Sequence, residues 1–185
     1  AFGKYTAAQS RMRGNTMYKK ILYKKAYRLL KNSTPLKFDC GLICSRKCCS
    51  GNNEAGMCLY PGEESLLEGH DGFLNIQKDK MRDTDVLFAV CSGKCNRSFR
   101  PLACRIFPYA PYIDENGSLT VIEDPRAKYI CPLLMGSFDL KIDKRFKRNV
   151  KNAFRILIID EDIKSYIRLL STVLDDYNRL TGIPR

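Results

Sequence analysis

The chain contains no tryptophan and one histidine, His70, among its 185 residues. No apolar run approaches the roughly 20 residues that a helix needs to span a bilayer. A lone histidine rules out an H-E-x-x-H zinc protease motif, and neither a glycine-rich phosphate loop nor a G-x-S-x-G nucleophile elbow is present. Conventional hydrolase and nucleotide-binding readings therefore fail. The chain also lacks a charged-then-apolar leader ending in small residues, so secretion is not expected and a soluble, cytoplasmic protein is.

Cysteine, in contrast, is abundant and clustered. A first run holds Cys40, Cys44, Cys48, Cys49 and Cys58, and a second holds Cys91, Cys95, Cys104 and Cys131, which accounts for all nine. Disulfide frameworks belong mostly to short secreted chains with even cysteine counts. An odd count in a chain of this length favours thiolate ligation of a soft or borderline metal, with redox-sensing thiols as the alternative. The first run reads C-x3-C-x3-C-C, which puts four thiols within ten positions of a polar segment. Arg46 and Lys47 in that segment would favour thiolates. In the second, C-x3-C-x8-C-x26-C, small residues between Cys91 and Cys95 let backbone amides approach sulfur. Arg100 and Arg105 can balance thiolate charge or form surface ion pairs.

Basic residues are in excess at both ends. The formal charge is +12, and residues 1–50 hold 12 basic residues against one acid, Asp39. The excess suits an anionic partner, an acidic protein or a nucleic acid, without setting specificity. Lys19, Lys20, Lys24, Lys25 and Arg28 at one end, and Lys144, Arg145, Lys147 and Arg148 at the other, are the candidate phosphate contacts. An AT-rich bacterial genome, which enriches Lys, Ile, Tyr and Asn, accounts for the composition equally well.

One domain with helical flanks is expected at this length. Residues 1–16 are polar and aperiodic, a leader, tag or mobile tail, and Met17 opens a new pattern. Residues 17–35 read as a basic amphipathic helix with Ile21, Leu22, Lys25, Ala26, Leu29 and Leu30 at helical intervals, broken at Asn32-Ser33-Thr34-Pro35. Residues 36–140 form the cysteine domain. In it, Gly51-Asn52-Asn53 is a loop, Pro61-Gly62-Glu63-Glu64 opens a helix reaching Glu68, and residues 85–91 and 118–123 are strands. Residues 141–185 form a C-terminal helical cover. One helix there carries Phe146, Val150, Phe154 and Leu157. A second, capped by Asp160 and ended by Gly182, carries Ile163, Tyr166, Ile167, Leu170, Val173, Leu174 and Tyr177. The expected class is α+β: a small cysteine-rich metal-binding core with short strands, flanked by an N-terminal helix and two C-terminal helices.

Three segments, Cys40 to Cys49, Gly56 to Glu64 and Cys91 to Tyr112, resemble the YkgJ-type cysteine-cluster proteins, described as a zinc- or iron-chelating domain. The similarity covers about residues 36–135, and Arg100 to Pro108, R-P-x-x-C-R-x-F-P, is its most specific part. Each gap in the first run is one residue wider than in the family pattern C-x2-C-x2-C-C. Cys48, Cys49, Cys95 and Cys104 carry over most directly. A related cysteine motif accompanies other sequence in flagellin lysine methylases. The resemblance implies metal chelation and no settled activity.

All nine cysteines are thus candidate ligands for zinc or iron, the iron as ions or as an iron–sulfur cluster, with ligands from both runs expected to meet in one region. His70 reads as a turn residue or a further ligand. Glu63 and Glu64 read as helix-start acids or as an oxygen ligand or proton-transfer group. Three functions compete: metal binding, an iron-dependent or iron–sulfur enzyme modifying a protein or peptide, and a zinc-stabilised module for nucleic acid or another partner.

Overall fold

The computed structural model describes residues 7–49, 56–67, 69, 72–93, 96–136 and 139–182, with side chains from residue 16 onward. His70, Cys95, Glu68 and the 51–53 loop lie outside that set. The class is the expected α+β, with an N-terminal helix, small antiparallel sheets and two C-terminal helices.

Helix α1 spans Ala7–Leu30 and so runs through Met17, where the composition changes. Its inner face also differs from the aliphatic pattern. Leu22, Tyr23, Ala26 and Leu30 are buried, whereas Ile21 and Leu29 are 45% and 40% exposed and Lys25 faces solvent. Tyrosines shift the face by about one residue, because the fold satisfies their hydroxyls. Tyr23 donates to the Pro61 carbonyl at 2.9 Å and Tyr27 to Glu63 at 2.6 Å.

After α1 the chain forms the short helix α2, Gly41–Cys44, and a 3-10 turn, Lys47–Cys49. Strands β1 (Gly56–Cys58), β2 (Leu74–Met81) and β3 (Thr84–Cys91) make an antiparallel sheet in the order β1-β3-β2. Gly56 is needed there, since a Cβ would sit 2.3 Å from the Ala89 carbonyl oxygen of the neighbouring strand. The helix expected from Pro61 is a single 3-10 turn, Glu63–Leu66, entered through Gly62 at φ 89°. Helix α3, Leu102–Ile106, follows Pro101. Strands β4 (Tyr109–Ile113) and β5 (Leu119–Glu123) form a second antiparallel pair, closed by a turn from Asp114 to Gly117.

Helices α4 (Lys144–Leu157) and α5 (Glu161–Thr181) match their periodicity. Phe146, Val150, Phe154, Leu157, Ile163, Tyr166, Ile167, Leu170 and Leu174 are all buried, with Val173 partly so. Asp143 caps α4, and Asp160 caps α5 by accepting the Asp162 and Ile163 amides. α4 packs on α1 and on the β4-β5 pair, and α5 packs on β4. At the centre Tyr60 meets Phe154 and Tyr166 edge-on, with centroids 5.1 and 5.4 Å apart. Fully burying one such ring contributes about 2–3 kcal/mol. Among the described residues, no helix is long and apolar enough to cross a membrane.

Candidate functional site

Local backbone geometry brings the first cysteine run together. Cys40 caps α2 and Cys44 ends it, one turn later, with its thiol 3.6 Å from the Cys40 carbonyl oxygen. Ser45 and Arg46 then adopt left-handed φ values of 49° and 56°, reversing the chain. Each costs roughly 1–2 kcal/mol for a residue with a Cβ. The reversal places Cys48 and Cys49 on the returning 3-10 turn, where their sulfurs are 3.9 Å apart. Asp39 anchors the segment, accepting the Gly41 amide and pairing with Arg97 at 3.1 Å.

The second run arrives from three directions. Cys91 ends β3, Cys104 lies in α3, and Cys131 follows the 3-10 helix Pro125–Tyr129. Cys131 is buried, its amide bound to the Ala127 carbonyl at 2.8 Å. Cys40, Cys44, Cys48, Cys104 and Cys131 line one cavity of about 70 Å³, partly open to solvent at exposed Cys48. Cys48 and Cys104 also line a neighbouring cavity of about 520 Å³, together with Cys49 and Cys91. Residues from both runs therefore meet, and Cys48 and Cys104 stand in the wall between the two spaces.

Cys58 lies elsewhere. It packs against Tyr166 and Arg126, and burial raises its pKa. It is absent from the lining of both thiol cavities.

Electrostatics differ among the cavity thiols. Burial raises Cys40, with nearby Cys44, Asp39 and Cys131 adding to the effect. Burial also raises Cys131. In the adjacent pair the Cys48 to Cys49 hydrogen bond is the main cause of both shifts, raising Cys48 and lowering Cys49. Arg100 and Arg46 further favour the Cys49 thiolate. One thiolate shared by two sulfurs is the pattern expected when like charges are held close.

The arginines divide their work. Arg100 borders both cavities. Arg105 holds backbone: its guanidinium donates to the carbonyls of Arg97, Ser98 and Arg100 at 2.7–2.8 Å and stacks over the Tyr27 ring at 4.5 Å. Neither a thiolate counter-ion nor a surface ion pair describes Arg105 as well as a strut between α3, the 97–100 segment and α1. Sequence spacing gave no sign of this, because the acceptors are main-chain oxygens.

Glu63 is the other residue placed differently from its sequence reading. It is fully buried and accepts three donors: the Tyr27 hydroxyl at 2.6 Å, the Leu102 amide at 2.6 Å and the Tyr60 amide at 3.1 Å. It joins α1, the 3-10 turn and the start of α3.

Among the described residues, no three Cys, His, Asp or Glu side chains approach closely enough to form a ready-made metal site. Five cysteine sulfurs and the Asp39 carboxylate are nonetheless the candidate donors around the smaller cavity, with Arg97, Arg100 and Arg105 beside them, and a sulfur-rich set fits a soft or borderline ion. No protein-family model matches the chain, and comparisons with curated proteins and with solved structures give no match.

Proposed function

We propose that the protein binds zinc or iron through the thiolates around the smaller cavity, with Cys40, Cys44, Cys48, Cys104 and Cys131 as the candidate ligands. The observation that carries this reading is that five cysteines from four separate segments of the chain line one cavity. Thiols have no packing reason to gather there beside three arginines. The similarity of residues 36–135 to the YkgJ-type cysteine-cluster proteins points the same way. The reading carries with it a reducing, cytoplasmic compartment, in which thiols stay available as ligands.

Bound zinc would crosslink the α2 turn to α3 and the 131 segment, whereas iron or an iron–sulfur cluster would add electron-transfer chemistry. The protein's own part is to supply thiolates, offset their charge with Arg97 and Arg100, and exclude water with Ile43, Phe107 and Leu133.

The larger cavity favours a second reading, an iron-dependent or iron–sulfur enzyme acting on a protein or peptide. It is mostly apolar, walled by Met57, Phe73, Phe88 and Phe107, and shares Cys48 and Cys104 with the thiol site. A space of several hundred Å³ with an apolar wall and Lys47, Arg100, Asp124 and Arg126 at its border suits an organic side chain.

Metal content by mass spectrometry, with a visible spectrum, on protein purified without oxygen or chelator tests both. Colourless protein with one or two zinc ions supports a structural metal. Iron with broad visible absorption supports the enzyme. Metal-free protein with all thiols reactive overturns both.

A further inference from the structure

Helix α4 separates its residues sharply. Phe146, Val150, Ala153, Phe154 and Leu157 are buried, and the rest of its surface carries Lys144, Arg145, Lys147, Arg148, Lys151 and Arg155 without one acid. Asp143, the cap before the helix, pairs with Arg145 at 3.8 Å and reaches none of the other cations. Lys144, Lys147, Arg148 and Lys151 line a surface groove of about 350 Å³ against β4 and β5, in which the Thr120 side chain also takes part. α1, packed on α4, has no acid either and exposes Lys24, Lys25 and Arg28.

We propose that this outer face of α4 docks on the phosphate backbone of double-stranded nucleic acid. The claim is independent of the thiol cavity and of any metal in it.

Three observations select that partner. Lys144, Lys147, Arg148, Lys151 and Arg155 recur at three- and four-residue intervals, a single stripe about 16 Å long at 1.5 Å per residue. A duplex presents a charge about every 1.7 Å of its axis, so a straight cationic stripe meets several phosphates at once. Single-strand binders need exposed rings on which bases stack. The one aromatic in the groove, Tyr109, is 8% exposed, with Lys147 lying 5.5 Å from its centroid and Phe146 on it. A membrane-surface helix needs apolar side chains to insert beside its cations. Those of α4 are spent on the core.

The test is fluorescence anisotropy with the full chain and a labelled random-sequence 20-base-pair DNA duplex. Binding is expected at 50 mM salt, weakening roughly 100-fold by 200 mM, the change for about four phosphate contacts. The triple variant K147E/R148E/K151E is expected to bind at least tenfold more weakly while retaining its circular dichroism. K147Q/R148Q/K151Q, with an intermediate loss, serves if charge reversal impairs folding. No binding at 50 mM salt, or unchanged binding by the glutamine variant, overturns the proposal. So does equal or tighter binding to single-stranded DNA, polyglutamate or phosphatidylserine vesicles.

Discussion

The Tyr27 hydroxyl donates to the Glu63 carboxylate at 2.6 Å across 36 residues of sequence, and Glu63 has no exposed surface. The same oxygen accepts the Leu102 amide, and the other accepts the Tyr60 amide. One carboxylate therefore satisfies three buried donors from three elements. Glu63→Gln keeps the shape but turns an amide NH2 toward one of these donors. It is expected to cost about 1–3 kcal/mol, the penalty of an unsatisfied buried group, in urea unfolding at pH 7. Glu63→Ala, which strands all three donors, is expected to cost more.

The Glu63 substitution also has a pH signature. Burial raises the Glu63 pKa above the ordinary carboxylate value, against the lowering effect of its hydrogen bonds and of Arg105. The folded protein thus holds this proton to higher pH than the unfolded chain does. Its contribution is full below the unfolded pKa and declines as pH rises through the folded one. The stability gap between wild type and Glu63→Gln should therefore be widest at acid pH and narrow toward neutrality. A gap that widens with rising pH would show that the hydrogen bonds outweigh burial.

Much of the fold was legible because the relevant signals are local. The α4 and α5 faces follow from period, and the Asp160 cap follows from residue type next to an apolar run. Strands β2 and β4 were not legible, for opposite reasons. β2 is an edge strand on which only Met81 is buried, so Lys78, Asp79 and Lys80 leave no alternation to read. β4 is buried at all five positions and contains Pro111, so it too lacks a period of two. At the site, clustering of the thiols in sequence marked segments that line the two cavities, but the division between cavities depends on tertiary placement. Cys58 belongs to the first run by sequence, yet β1 carries it toward α5.

Asp160 joins a cap to an ion pair. It accepts two α5 amides and lies 3.6 Å from the Lys19 ammonium, which also meets Asp162. Asp160→Ala should cost about 1–2 kcal/mol. Asp160→Asn keeps the capping oxygen and loses the charge, so it should cost less than half as much in the same unfolding series. Equal costs would show that the ion pair with α1, and not the cap, is what Asp160 contributes.

The α2 turn should be improvable. Ser45 is exposed and holds φ 49°, ψ 35° at the end of the helix, the position where glycine is preferred. Ser45→Gly is expected to raise stability by up to about 1 kcal/mol, because relief of the left-handed backbone exceeds the entropy gained by the unfolded chain. Measured by thermal unfolding, a loss of stability would mean that the turn does not hold this conformation in solution.

Substitution at Cys58 separates the cavity from the cysteine run. If the ligands are the thiols around the smaller cavity, Cys104→Ser or Cys40→Ser should weaken metal retention against a chelator by more than tenfold, since even groups that merely support a ligand are worth roughly 10–100-fold. Cys58→Ser should leave retention unchanged, because its thiol lies against Tyr166 and Arg126. Its effect should appear in stability alone, through the cost of burying a hydroxyl in place of a weakly polar thiol. Loss of metal on Cys58→Ser, with the other two variants unaffected, would move the ligand set away from the cavity and toward the sheet.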